Sequence, residues 1–311
     1  VTQLLGLPLV AVEGGVTDLS ASAEGLVIHG RDGAAWQMID AADTPSAISQ
    51  PPRPEALPEG ALPDGVVVTG QGDIRRAWLS EPTRRYRHAI LGDDLEAGAL
   101  TVETEDGRIL THHLPEDEVF EDRTPRLVDL ARDGRTAILV VVSQAQRGSA
   151  LGAYGVRDGR LVELMRTPAI GQTNRWLNPV GAADLTGDGT VEVAVVTTPH
   201  IGGVLQIYDK DFKRLARIEG VSNHSIGSRV LGLATLADVT GDGVAEVIVP
   251  SNDHKTLRAF SLRGGAMRER AAVSLPAAAV STMVPIVLPQ APDRKGVAVG
   301  LANGVLAVAW W

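Results

Sequence analysis

Residues 180–196 read VGAADLTGDGTVEVAVV and residues 233–249 read LATLADVTGDGVAEVIV, so one phrase returns with Asp184 and Asp238 54 residues apart. A weaker copy, LVDLARDGRTAILVVV over 127–142, sets Asp129 another 55 residues upstream of Asp184. Each copy joins a short apolar segment, an Asp/Gly turn and a run of β-branched residues too short for a helix, the pattern of two antiparallel strands. After the copy at 180–196 a second pair follows, 204–208 and 215–218 around the charged turn 210–214. Four antiparallel strands, named A to D in chain order and repeated at roughly 40–55 residues, predict the blades of a β-propeller.

Counting B-to-C hairpins gives seven, beginning near Leu26, Val66, Leu100, Ile138, Val193, Val247 and Val297. The expected fold is therefore all-β: a seven-bladed propeller of four-stranded antiparallel blades, one domain over residues 1–311. The last hairpin lacks a fourth strand while the apolar segment 4–10 lacks a partner, so N- and C-terminal strands are expected to close the ring and remove a sheet edge. Six prolines between 41 and 63 predict a long loop after the first blade. Trp36, Trp78, Tyr208, Phe260 and Trp310 fall on expected C strands, where packing between blades accounts for them.

Composition narrows the function classes. With no Cys the chain has no disulfide, thiolate metal site or cysteine nucleophile, and 29 basic against 38 acidic residues, net −9, argue against a general nucleic-acid binder. No apolar run approaches the roughly 20 residues of a membrane span. The sequence starts at Val1 rather than Met, compatible with a removed export signal and hence with a periplasmic or extracellular location.

The patterns Asp184-x-Thr-Gly-Asp188-Gly-x-x-Glu192 and Asp238-x-Thr-Gly-Asp242-Gly-x-x-Glu246 resemble the FG-GAP or VCBS repeat of β-propellers. Thr198-Pro199 and Val249-Pro250 stand where that family ends its B strand in Gly-Ala-Pro, and Val180-Gly181 and Leu231-Gly232 stand for its Phe-Gly opening. The likeness is specific over 126–262, inside a repeat region of 126–270, and more narrowly is similar to exported VCBS-repeat proteins of alphaproteobacterial type. It implies a fold and defines no reaction.

Oxygen ligands at alternate positions of a tight turn with Gly at the sixth suit a hard cation, so the loops are candidate structural Ca2+ sites. The ligands would be Asp184, Thr186, Asp188 and Glu192 in one loop and Asp238, Thr240, Asp242 and Glu246 in the other. Thr at the third position, where the family has Asn or Asp, leaves the oxygen set incomplete, and the alternative is a plain Asp-Gly turn whose Asp accepts backbone N–H groups.

In a four-stranded meander the A–B turns lie at one end of the blade and the B–C and D–A connections at the other. The Asp/Gly loops thus occupy one face, and the opposite face is expected to collect Arg87, His88, Asn174, Arg175, Trp176, His200, Asn223, His224, Arg229 and His254, with Arg84, Arg147 and Lys255 beside them. Asn174 and Asn223, and Arg175 and His224, are read as matching positions in successive blades. Few acids accompany this group in the sequence, so it reads as a locally positive funnel for an anionic small molecule or an acidic protein surface. The alternative for each residue is ordinary: loop Asn holding local backbone, solvated Arg, and Trp176 as a plug between blades.

The chain carries no nucleophile elbow, HExxH helix, phosphate-binding glycine loop or dinucleotide fingerprint. A non-enzymatic binding propeller of the bacterial envelope is the leading expectation. The alternatives are a lyase or hydrolase using His88, His200 or His224 as base in the funnel, and a docking subunit of a larger envelope complex.

Overall fold

A computed structural model describes residues 9–11, 15–22, 25–30, 33–38, 46–47, 55–288 and 291–310. The runs of β-branched and small apolar residues form antiparallel meanders throughout. Blade 1 comprises Val16–Ser22, Gly25–Gly30, Ala35–Met38 and Ser46–Ala47, and blade 2 comprises Val68–Thr69, Ile74–Thr83, Glu96–Thr104 and Ile109–His113. Blade 3 has an interrupted A strand, Glu118–Phe120 then Arg126–Val128, followed by Ala137–Gln144, Gly148–Arg157 and Arg160–Arg166. Blade 4 is Leu177–Ala183, Glu192–Thr197, Val204–Tyr208 and Arg214–Glu219, and blade 5 is Thr235–Ala237, Glu246–Pro250, Thr256–Ser261 and Arg268–Ser274.

Blade 6 takes three strands from the end of the chain, Val284–Leu288, Ala291–Gly300 and Val305–Ala309, and its fourth, Leu9–Ala11, from the beginning. Leu9 pairs with Ala307, Val10 with Leu306 and Ala11 with Val305. The expected terminal closure is therefore present; residues 4–8 of the segment invoked for it lie outside the described residues.

Among the described residues these strands form five sheets, the largest of nine strands because Phe120 pairs with both Ala97 and Val142 and so joins blades 2 and 3. The hairpins placed near Val66 and Leu100 belong to one unit, because the ten-residue strand Ile74–Thr83 pairs directly with Glu96–Thr104. Trp78 consequently lies on a B strand rather than a C strand, and the RRYRH segment 84–88 is a B–C loop rather than a lead into an A strand. Part of the expected Pro-rich loop is strand, since Ser46 and Ala47 pair with Gln37 and Trp36; residues 41–45 and 48–54 lie outside the described residues.

Five apolar cores alternate with the sheets. One lies between blades 6 and 1 around Leu19, Ile28, Val284 and Leu306. Others fill the gaps between blades 2 and 3, 3 and 4, 4 and 5, and 5 and 6. Central strands face a neighbour on both sides and are buried along their whole length, as in Glu192–Thr197, whereas the outer strand Arg214–Glu219 alternates toward solvent. Each buried Val or Leu contributes roughly 1.5–3 kcal/mol.

The tightest backbone approach is at Gly203, after the B–C loop of blade 4. A Cβ there would stand 1.9 Å from the Val221 carbonyl oxygen. Gly203→Ala is expected to destabilise the protein by roughly 2–3 kcal/mol in urea unfolding, the upper range for overpacking. A change below about 0.5 kcal/mol, the usual span of neutral surface substitutions, would contradict this packing.

Candidate functional site

The B–C loops and blade-to-blade connections converge at one end of the ring, as the meander topology requires. The connection between blades 4 and 5 (residues 220–234) reaches across to blade 2: the Gly227 amide donates to the Ile90 carbonyl at 3.0 Å, and Arg229 pairs with Asp93 at 2.9 Å. Arg123, from the break in the A strand of blade 3, pairs with Asp64 at 2.7 Å and donates to the Arg229 carbonyl. Ala89, Asn174, Thr198 and His254 on these loops all hold positive φ, between 48° and 58°.

A chain of imidazoles crosses the centre. His200 Nε2 lies 2.8 Å from His224 Nδ1, and His224 Nε2 lies 2.8 Å from the Ser228 carbonyl oxygen. His254 Nε2 is 2.9 Å from Ser222 Oγ, which donates to the His224 carbonyl. Trp176 floors the group, its ring parallel to His200 at 6.2 Å and tilted against His224 at 4.8 Å, and its Nε1 donates to the Glu121 carbonyl at 2.9 Å. Burial lowers the pKa of His200 and His224 to about 4 and also depresses that of His254. The three rings are therefore neutral at pH 7.

Beside them, Glu121 is fully buried, bonded through Oε1 to His88 Nδ1 at 2.6 Å and through Oε2 to the Ser143 and Ser149 hydroxyls. Burial first, then the Glu121 charge, pushes the pKa of Glu96 up to about 10, so this carboxyl holds its proton at neutral pH. Glu96 Oε1 lacks a hydrogen-bond partner, as do the Oδ1 atoms of Asn178 and Asn223. These two asparagines donate reciprocally to each other's main-chain carbonyl and so tie blade 4 to the connection that follows it.

Six of the ten residues singled out from the sequence thus lie in one polar floor, with Trp176, Asn223, His224 and His254 buried and His88 and His200 half-buried. Arg87 and Asn174 are exposed and Arg175 is half-buried, forming a rim. Arg229 is exposed but ion-paired. The expected scarcity of acids does not hold: Asp64, Asp93, Asp94, Glu96 and Glu121 share this end of the ring, and Arg84 pairs with Asp94. The match of Asn174 with Asn223 also fails, since Asn223 is buried against Asn178 and Asn174 is exposed. Glu121, Glu96 and Ser222 were not legible beforehand, because their roles come from blades brought together in space rather than from any local pattern.

On the other face the Asp/Gly loops close on themselves. Asp184 accepts the Gly187 and Gly189 amides at 2.6 and 2.8 Å, and Asp238 accepts Gly241 and Gly243 at 2.7 and 2.8 Å. Glu192 and Glu246, both buried, accept the main-chain amides of residues 185 and 186, and of 239 and 240. Asp188 accepts the Thr190 amide and hydroxyl, and Asp242 accepts Val244 and pairs with Arg263. Thr186 and Thr240 turn their hydroxyls to Glu192 and Glu246. Each of these carboxylates thus accepts main-chain or side-chain donors within its own turn, and among the described residues no group of three or more His, Asp or Glu side chains forms a metal cluster. Asp129 makes the same turn with residues 133 and 134 although Ala137 stands where the other loops have Glu.

No family model matches the sequence, and no curated protein matches it. Among solved structures the chain is similar to the WD40 domain of Toxoplasma gondii coronin, at 12% identity over 100% of this chain and 87% of that one, TM-score 0.45. It is similar also to rhamnogalacturonan lyase YesW, at 14% identity over 94% of this chain, TM-score 0.40; the matched part is 58% of the lyase. Likeness at this level carries no argument about activity.

Glu192→Gln and Glu246→Gln are each expected to cost roughly 1–3 kcal/mol in chemical unfolding, the range for disturbing a buried acceptor. If the loops are plain Asp-Gly turns, millimolar calcium or a chelator is expected to leave the wild-type melting temperature unchanged; a rise with calcium that either substitution removes would favour the cation reading.

Proposed function

We propose that the chain is a non-enzymatic binding propeller of the bacterial envelope that docks an acidic partner surface on the loop face. The observation that carries this reading is the rim: Arg87, Arg147 and Arg175, from the B–C loops of blades 2 and 3 and the connection into blade 4, have no ion-pair partner among the described residues. Arg123 and Arg229 on the same face are tied to Asp64 and Asp93. Guanidinium groups left unpaired above the buried imidazoles suit bidentate capture of carboxylates and electrostatic steering of an approaching acidic surface. The periplasm or cell exterior belongs to this reading through the resemblance to exported VCBS-repeat proteins; no helix of the described residues is long and apolar enough to cross a membrane.

One observation favours the enzymatic alternative. His88 Nδ1 is held by buried Glu121, and among the described residues Nε2 makes no hydrogen bond, the arrangement of an oriented general base. It has no paired acid open to solvent, since Glu96 and Tyr86 are buried.

The triple variant Arg87→Glu, Arg147→Glu, Arg175→Glu is expected to weaken binding of immobilised poly-glutamate at pH 7.5 by roughly tenfold or more, with a melting temperature near wild type, because rim charges act on association rather than folding. Unchanged binding, or none by the wild type, overturns the docking reading.

A further inference from the structure

The 222–230 connection is held to the ring through imidazole nitrogens whose proton positions are dictated by their partners. The Ser228 carbonyl can only accept, so His224 Nε2 carries the hydrogen. Neutral His224 then has a lone pair at Nδ1, and the 2.8 Å contact requires His200 to donate from Nε2. Ser222 Oγ donates to the His224 carbonyl, so it accepts from His254 Nε2. The bond between His200 and His224 needs one ring to keep a lone pair at the contact, so it tolerates at most one added proton. One added proton, on His224 Nδ1, forces His200 to exchange its tautomer; a second sets two N–H groups against each other and breaks the bond.

The surroundings offer these rings no compensating charge in contact. From blade 2 the facing group is His88, already bonded to Glu121 of the blade 3 A-strand break. From blade 5 it is His254, with the exposed carboxylate of Asp253 next to it in sequence. From the connection into blade 4 it is the uncharged Trp176. On the 222–230 segment itself the nearest cation, Arg229, is engaged with Asp93 and Asp64. Charged His88 and His254 would each oppose a further positive charge on His200.

We propose that residues 222–230 form a pH-released latch across the loop face, fastened while His200 and His224 are neutral and freed when both take up protons in mild acid. Release withdraws Gly227 from Ile90 and Arg229 from Asp93, which remodels the docking face; that consequence rests on the docking reading, and the latch itself does not. The sign follows from the low histidine pKa in the fold: the unfastened imidazoles bind protons below about 6.5 and the fastened ones only near 4. The fastened state is thus fully stable above about pH 6.5 and is lost as pH falls toward 4.

Amide hydrogen exchange of the free protein at pH 7.5 and 4.5, corrected for intrinsic rates, tests the latch. Protection over 222–230 is expected to fall on the order of tenfold or more at the lower pH, while Glu192–Thr197 and Glu246–Pro250 stay protected, the signature of local rather than global opening. His200→Gln, whose amide can donate without titrating, is expected to flatten the pH dependence; if it fails to fold, the wild-type profile decides alone. Equal protection at both pH values, or loss shared by the central strands, overturns the latch. Poly-glutamate binding at pH 7.5 is read separately: its absence overturns the docking reading while the exchange result stands.

Discussion

Face-to-face burial of successive sheets is the constraint on which the molecule depends. A strand such as Glu192–Thr197 presents apolar side chains to blade 3 on one side and blade 5 on the other, so neither face can be given up. Sheets buried on both sides cannot use polar side chains to fix their position, and polarity is driven to the strand ends. One end carries the Asp turns, which satisfy main-chain donors at low cost in residues. The other carries the longer connections, where buried Glu, His, Asn and Trp side chains join blades 2 to 5.

The electrostatics of that second end follow from desolvation more than from net charge. An imidazole or carboxyl removed from water favours its neutral form unless a partner compensates. Glu96 has no such partner and keeps its proton, while burial holds the imidazoles of His200 and His224 in their neutral form. A face read from the sequence as rich in Arg and His thus presents neutral imidazoles of His200, His224 and His254 beneath a narrow cationic rim.

The fold was legible where local pattern and period coincide, and less so elsewhere. The 54-residue recurrence of the Asp/Gly phrase located blades 4 and 5. Blade 2 was misread because its A strand is only Val68–Thr69 and its B strand runs ten residues, so hairpin spacing ceased to report blade spacing. Loop topology correctly sent His88, His200, His224 and His254 to one end. It could not reveal that Glu121 would join them, because the signal is a break of register in a strand: residue 120 pairs with 142 and residue 126 with 139. The Asp/Gly spacing was legible as a turn, but which oxygens remain for a cation depends on main-chain amides that sequence does not orient.

The pairing of Leu9–Ala11 with Val305–Ala307 has a kinetic meaning. It joins segments separated by nearly the whole given sequence, so it adds a contact of extreme sequence separation to a fold whose other strands pair almost wholly with their neighbours in sequence. During synthesis blades 2 to 5 can form in order as they emerge, while blade 6 must wait for its last strand and then recover its first from the far end of the polymer. Until then Val305–Ala309 is an unpaired edge, and the nascent ring is most prone to accept a strand from a neighbouring molecule at the moment it is nearly complete.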